Sequence, residues 1–309
     1  MEAGAFPTIP CLHNSNQLIG AFIPLFRKQY PEIPITFFLR STELDGALKA
    51  LGKATIVHGV FDDLDKVEEL AATHSIVLNC AASMNPPLTE AILRGARARK
   101  AKTGRNSILY HLSGAGNFVD DSQTGNYIPT EHRFDDASPD DVRTITAANQ
   151  PNGPCDELIF KAATAGEVNA YFVCPGGVYG HSPDHIGRAV GAASAFATGV
   201  WADYMLRNVE DLGFGAYVGK GTSLFGIIHV DDVVSLMLLV FQKILDTNDT
   251  YQPEDVYRNW YNGVDKEEPS KKLATAFAQV QFRRGKIPSP SSKSVLYEEA
   301  GFVARSVYY

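Results

Sequence analysis

The chain has 309 residues, a formal net charge of -7 and a pI near 5.6, enough length for one large domain with a substantial apolar core, or for a core plus a small lobe. The acidic balance excludes a nucleic-acid backbone as partner, because no basic surplus exists to displace counterions; the densest basic stretch, Arg94 to Lys102, reads as the solvated end of a helix. Hydrophobic residues at 45% and charged residues at 20% are ordinary for a globular protein, and without a run of about 18 apolar residues or a basic-then-apolar leader the expectation is a soluble, cytoplasmic protein with no membrane partner.

Through the first 180 residues short apolar runs alternate with helical patterns. A helix pattern spans Leu18 to Tyr30, then the β-branched and aromatic run Ile35–Leu39 reads as a strand ending at Arg40-Ser41. A short helix (Leu44 to Leu51), a strand (Ala54–His58), a helix (Leu64 to Thr73) and a strand (Ser75–Asn79) follow. Next come a helix from Leu88 to Lys100 and the strand Ser107–Leu112. From Gly116 to Gly153 the pattern dissolves into polar, Gly/Pro/Asp-rich sequence, a loop of a length usually tied to function. The helix Asp156 to Gly166 and the strand Ala170–Cys174 resume the alternation.

Strands alternating with helices of about ten residues predict βαβ units, and hence a doubly wound parallel sheet of the Rossmann type in an α/β protein. Beyond Gly180 come an apolar segment (Ala189 to Met205), a strand within Thr222–His229 and a helix from Val230 to Leu245, followed by a small mixed tail. The predicted organisation is a Rossmann-type core over residues 1–180. Residues 181–309 supply substrate-side segments and a smaller C-terminal lobe, interleaved with the core through the 222–245 strand and helix. Four scattered cysteines (Cys11, Cys80, Cys155, Cys174) lack CxxC spacing, so free buried thiols are expected and no metal site.

Several short motifs stand in one order. They are Arg40-Ser41 after the second predicted strand, Gly59-Val-Phe-Asp62-Asp63-Leu, Asn79-Cys-Ala81-Ala-Ser83, His111-Leu-Ser113-Gly-Ala-Gly116, Cys174-Pro175-Gly-Gly-Val-Tyr179-Gly180 and Ile227-Ile-His-Val-Asp-Asp-Val233. Together they resemble the extended short-chain dehydrogenase/reductase family, including its NmrA-like and epimerase/dehydratase-like members, over about residues 10 to 250. The resemblance implies cofactor contacts from Arg40, Asp63, Ala81 and Pro175, with Arg40 facing a 2′-phosphate, and a catalytic serine at Ser113.

The site departs from that pattern twice. A dinucleotide fingerprint needs glycines so that the backbone can turn and approach the pyrophosphate at a helix N-terminus. Aligned by its neighbours, His13-Asn-Ser-Asn16-Gln-Leu-Ile19-Gly20 replaces all three glycines, by His13, Asn16 and Ile19. The expectation is therefore no cofactor, or weakly bound NADP held by a vestigial set of contacts. The family's Tyr/Lys pair is also missing: none of the 13 tyrosines has Lys four residues on. Either Asn152/Asp156 or Glu157/Lys161 occupies its place, and an i,i+4 Glu–Lys pair is most often a plain helix salt bridge.

The candidate catalytic residues are Ser113 at a strand end, Tyr179 in the following turn, and His181 and His185 on a Gly/Pro loop, where a near-neutral imidazole suits proton transfer. Tyr127, Glu131 and His132 ride on the long loop, and His229 with Asp231 and Asp232 caps the helix that follows. An apolar crevice wall is expected from Val190, Phe196, Trp201, Tyr204, Met205, Phe214 and Phe225. The favoured function is a small-molecule enzyme doing cofactor-independent, non-redox chemistry as an isomerase, cyclase or lyase. The alternatives are an NADP-dependent reductase with an unconventional loop and a non-catalytic NmrA-like nucleotide sensor. A homo-oligomer is compatible with each.

Overall fold

The computed structural model describes residues 9–12, 17–80, 83–118, 125–127, 133–149, 151–191, 199–247 and 253–297. The first half runs β1 (Ile9–Leu12), α1 (Gln17–Gln29), β2 (Ile35–Leu39), α2 (Asp45–Ala50), β3 (Ala54–His58), α3 (Leu64–Thr73), β4 (Ile76–Asn79), α4 (Pro86–Thr103) and β5 (Ser107–Leu112). After it come α5 (Pro139–Val142), α6 (Gly153–Thr164), β6 (Val168–Pro175), β7 (Gly177–Tyr179), α7 (Gly199–Leu212), β8 (Gly215–Val218) and β9 (Leu224–His229). The described chain ends with α8 (Val230–Asp246), β10 (Trp260–Gly263), β11 (Lys266–Pro269), α9 (Ser270–Arg283) and β12 (Ser292–Val295).

Among the described residues seven strands form one sheet in the order β10-β6-β5-β4-β1-β2-β3, every pairing parallel. This is the Rossmann order 3-2-1-4-5-6 with one strand added beyond β6, and such sheets bind ligands outside the carboxyl ends of their strands. Helices cover both faces, so the central strands are apolar runs rather than alternating ones: all four residues of β4 are buried. On one face α1 and α8 pack together, with the Phe26 and Phe241 rings 4.8 Å apart and edge to face. On the other, Phe160 of α6 and Phe172 of β6 stack with Trp260 of β10. Each such fully buried aromatic contributes about 2–3 kcal/mol by leaving water.

Local signals explain the element ends. Asn85 caps α4 by accepting from the Leu88 amide at 3.0 Å, prolines open its first turn, and Gly104 ends it at φ 69°. The basic stretch of α4 is spent on its surroundings, with Arg94 paired to Glu68 and Arg97 to Glu90 and Glu167.

Two smaller sheets, β11-β9-β7 and β12-β8, form a small lobe. The long loop is more structured than its composition suggests. It contains α5, and Gly125 to Tyr127 is stitched to residues 220–223, where the Thr222 and Ser223 amides donate to the Gly125 carbonyl and the Tyr127 amide to Thr222 Oγ1. No helix among the described residues is long and apolar enough to cross a membrane.

Candidate functional site

The strands β4 and β5 lie side by side with Asn79 opposite His111. One residue beyond β5, Ser113 is held by its amide to the Val173 carbonyl of β6 at 2.8 Å. The first turn of α6 lowers a carboxylate, Asp156, onto these residues. Ser113 Oγ donates to Asp156 Oδ2 at 2.7 Å, and Asn117 Nδ2 donates to the same oxygen at 2.6 Å. The other oxygen, Oδ1, lies 3.3 Å from His111 Nε2, without the alignment of a full hydrogen bond. Asn79 Nδ2 stands 3.1 Å from His111 Nδ1. An amide nitrogen is a donor, so Nδ1 accepts and the imidazole carries its proton on Nε2, towards the carboxylate.

Asp156 and His111 have no exposed surface, whereas Ser113 keeps 5%. A buried carboxylate is tolerated only where hydrogen bonds replace its water. Here Oδ2 has two donors, while Oδ1 and the His111 proton face each other incompletely satisfied, an arrangement that in a native interior calls for a functional explanation.

The two pairs expected on α6 differ in their surroundings. Glu157 and Lys161 form an i,i+4 ion pair with the lysine side chain 70% exposed. Asn152 and Asp156 instead face the sheet, both buried. Asn152 donates from Nδ2 to Ser83 Oγ at 2.7 Å, and its Oδ1 lies against Gly114 and Gly116, where a methyl on Gly116 would stand 3.0 Å from it. Asn152 and Asp156, rather than Glu157 and Lys161, are thus the pair on α6 that lies on the side of Ser113.

The remaining candidates are placed less centrally. Tyr179 ends β7 and meets His229 edge to face at 5.3 Å, with Lys266 5.7 Å from its ring; its described contacts run to the lobe rather than to Ser113. His181 is exposed. His185 is buried, and its Nδ1 accepts from the Gly187 amide at 3.0 Å, capping a short 3-10 turn. His229 Nδ1 likewise accepts from the Asp231 amide at 3.3 Å and caps α8.

Arg40 is exposed just after β2, and no ion pair joins it to Asp62 or Asp63. Asp63 accepts from the Val60 amide at 3.1 Å and from Lys66 at 3.3 Å, bonds that hold its carboxyl below the usual carboxylate range. Gly59 is needed beside it, since a methyl there would stand 2.5 Å from Phe38 and 2.7 Å from Asp63. Pro175 is buried at the end of β6, paired with Gly263 of β10, and Gly177 just beyond it lies against Trp201. Ala81, Glu131, His132 and Phe196 fall outside the described residues.

Of the expected apolar wall, Trp201 stacks on Phe225 at 4.9 Å beside the Gly177 turn, but Phe214 lies under Lys293 at the β8–β12 sheet. Burial pushes the Cys155 thiol up to about 11 and also raises Cys174 well above the ordinary thiol value, which keeps both protonated and inert.

Of the three positions expected to replace the fingerprint glycines, His13 and Asn16 lie outside the described residues. Ile19 is fully buried in the core among Leu18, Phe22 and Phe26. Its neighbour Gly20 makes a close approach, since a methyl there would overlap the His185 imidazole.

No family model and no curated protein matches the chain. Solved structures do. A dTDP-glucose 4,6-dehydratase from Bacillus anthracis in complex with NAD matches with a TM-score of 0.57 at 13% identity, over 94% of this chain and 84% of that one. A UDP-glucuronic acid 4-epimerase from Bacillus cereus in complex with UDP-glucuronic acid and NAD matches with a TM-score of 0.55 at 11% identity, over 96% and 93%. The PbgP3 protein from Burkholderia pseudomallei matches with a TM-score of 0.56 at 14% identity, over 97% and 91%.

The chain has the fold of the extended short-chain dehydrogenases. Within that fold the expectation of no cofactor, or of weakly bound NADP, does not stand. The dehydratase and the epimerase that share it both hold NAD. Two residues present fit a dinucleotide at the strand ends: the exposed Arg40 after β2, and Asp63 after β3. They do not supply a Tyr/Lys pair for the coupled proton.

Proposed function

We propose that the chain is a small-molecule enzyme on the extended short-chain dehydrogenase scaffold that holds an NAD-type dinucleotide and carries out a redox-neutral conversion, an isomerisation or an elimination. The observation that carries this reading is Ser113, just past the carboxyl end of β5 where such sheets bind ligands, hydrogen-bonded to a buried carboxylate. Reaction class is suggested by the similar structures, whose names denote an elimination and an epimerisation. Both leave the substrate's overall oxidation state unchanged.

A bound dinucleotide would supply a transient hydride acceptor. Arg40 would offer an exposed cation to its ribose or 2′-phosphate, and the Pro175–Gly177 turn would wall its reactive end. Ser113 would orient a substrate oxygen, the Asn152 amide would fix the neighbouring Ser83, and the stacked Trp201 and Phe225 beyond the turn would exclude water.

Thermal unfolding with NAD+ and NADP+ tests the binding half, since a ligand at a hundredfold excess over Kd adds about 2.7 kcal/mol of stability. Incubation of the protein and NAD+ with a panel of nucleotide sugars, followed by NMR, tests the chemistry: an epimer or a dehydrated product is expected, and an unchanged melting curve with both nucleotides removes the reading. One observation favours a second reading, an NmrA-like nucleotide sensor: no tyrosine of the chain has a lysine four residues on. Nucleotide binding without turnover of any panel member would select it.

A further inference from the structure

We propose that Ser113, Asp156 and His111 form a proton relay leading from the crevice into the core, in which Ser113 accepts the proton of a substrate hydroxyl and passes its own to Asp156. The proposal rests on reading the crevice as an enzyme site and names the group that replaces the missing phenol. Ser113 spends its hydroxyl hydrogen on Asp156 Oδ2, so what it can offer to the crevice is a lone pair. A substrate hydroxyl that donates to Ser113 Oγ completes a chain of two hydrogen bonds ending on the carboxylate.

The step balances without any change of oxidation state. The substrate O–H bond breaks and a new O–H bond forms on Ser113 Oγ. The original Ser113 O–H bond breaks and its proton forms an O–H bond to Asp156 Oδ2. Negative charge leaves the carboxylate and appears on the substrate oxygen, and Ser113 ends as it began. Reversal returns the proton.

The surroundings suit this traffic. Asn117 donates to the same Oδ2 at 2.6 Å and keeps that oxygen turned towards Ser113. His111 presents its Nε2 hydrogen to Oδ1 at 3.3 Å, and Asn79 fixes that tautomer from the far side. The loose His111 contact is slack that tightens or relaxes as the carboxylate gains or loses charge, as catalytic hydrogen bonds in ligand-free sites do. Asp156 and His111 have no exposed surface, and Ser113 and Asn117, each 5% exposed, stand between the carboxylate and the surface; of the two, Ser113 carries the hydroxyl that both donates and accepts. In this scheme Ser113 is the catalytic residue, and Asp156 and His111 act through it.

The relay also works in reverse of use, carrying solvent protons inwards, and that gives a readout independent of turnover. In ligand-free protein with 15N-labelled histidine, the His111 Nε2 hydrogen exchanges with solvent by way of Asp156 and Ser113. Ser113→Ala should slow that exchange by roughly a hundredfold, the low end of what a positioned proton-transfer group contributes. Ser113→Thr should restore it. Asn117→Ala removes a bond to the same oxygen but no link of the path, and should leave the rate within a small factor of wild type.

Equal rates in wild type and Ser113→Ala, or equal slowing in Ser113→Ala and Asn117→Ala, would overturn the relay. Should Ser113→Ala not fold, Ser113→Cys is read in its place, with slowing expected from its weaker donor. Exchange through Ser113 in a protein that turns over nothing would sink the enzyme reading and keep the relay; turnover with exchange indifferent to Ser113 would do the opposite.

Discussion

Asp156 and Glu157 are neighbouring carboxylates on one helix, and α6 treats them as different substances. Glu157 lies on the solvent side, paired with Lys161 and accepting from the Ala147 amide, contacts that hold its carboxyl below the usual range. Asp156 lies on the sheet side with no exposed surface and neutral or weakly aligned partners. Water and a mobile cation satisfy the first; fixed hydroxyl, amide and imidazole groups satisfy the second. The solvated face of the helix can lose a partner cheaply, while the sheet face cannot, because nothing replaces the partner removed.

Substitutions can break that contrast, and the largest effect is expected from its buried side. Asp156→Ala should cost about 3 kcal/mol or more, since it strands Ser113, Asn117 and His111 at once; a denaturant midpoint close to wild type would mean that the cluster is not the packed unit described. Gly20→Ala separates burial from charge. The methyl meets the His185 ring, and overpacking of this kind costs about 1–3 kcal/mol. His185→Ala in the same chain should recover most of the loss, and a double-mutant cycle measures the coupling.

His74 stands between the two extremes. Half-buried at the end of α3, it meets the Leu70 carbonyl at 2.8 Å through Nδ1 and Thr36 Oγ1 at 2.9 Å through Nε2, and burial lowers its pKa. A histidine whose folded pKa lies below its unfolded one binds fewer protons when folded. Its contribution is therefore full above the ordinary histidine value of about 6.5 and is lost as pH falls through the folded value. Stability measured at about pH 8 and about pH 5 should show that fall, and His74→Gln should flatten part of it. Lys161→Ala should be the smallest perturbation, within about 0.5 kcal/mol; a larger loss would erase the distinction between the faces.

Much of the fold was legible because fully buried parallel strands are short runs of β-branched and aromatic residues. The runs at 35–39, 54–58 and 107–112 coincide with β2, β3 and β5. The lobe was less legible: β7, β8, β11 and β12 have three or four residues each, too short for a period to emerge. At the site, Ser113 could be read from its strand-end position, but His111 and Asp156 could not be assigned by type, since a lone histidine inside a strand and an acid in a first helical turn are commonplace. A signal was present nonetheless. Asp156, Ile159, Phe160 and Ala163 recur at helical spacing and are all buried, so a carboxylate sits within an apolar stripe. The start of α1 carries the same kind of signal: Leu18, Ile19, Phe22, Ile23 and Phe26 form one buried stripe, which makes Ile19 a core residue.

The seventh strand of the core sheet, β10, comes from residues 260–263, far along the chain from the β6 edge it covers. Synthesis therefore delivers the sheet in two instalments. While translation has passed β6 but not yet released β10, one flank of the sheet offers a row of unpaired amides and carbonyls, and the buried ring of Phe172 lacks the indole of Trp260 that lies 5.2 Å from it. A ribosome pausing in that interval holds a half-finished sheet open to neighbouring nascent chains, and a truncation before residue 260 makes that interval permanent.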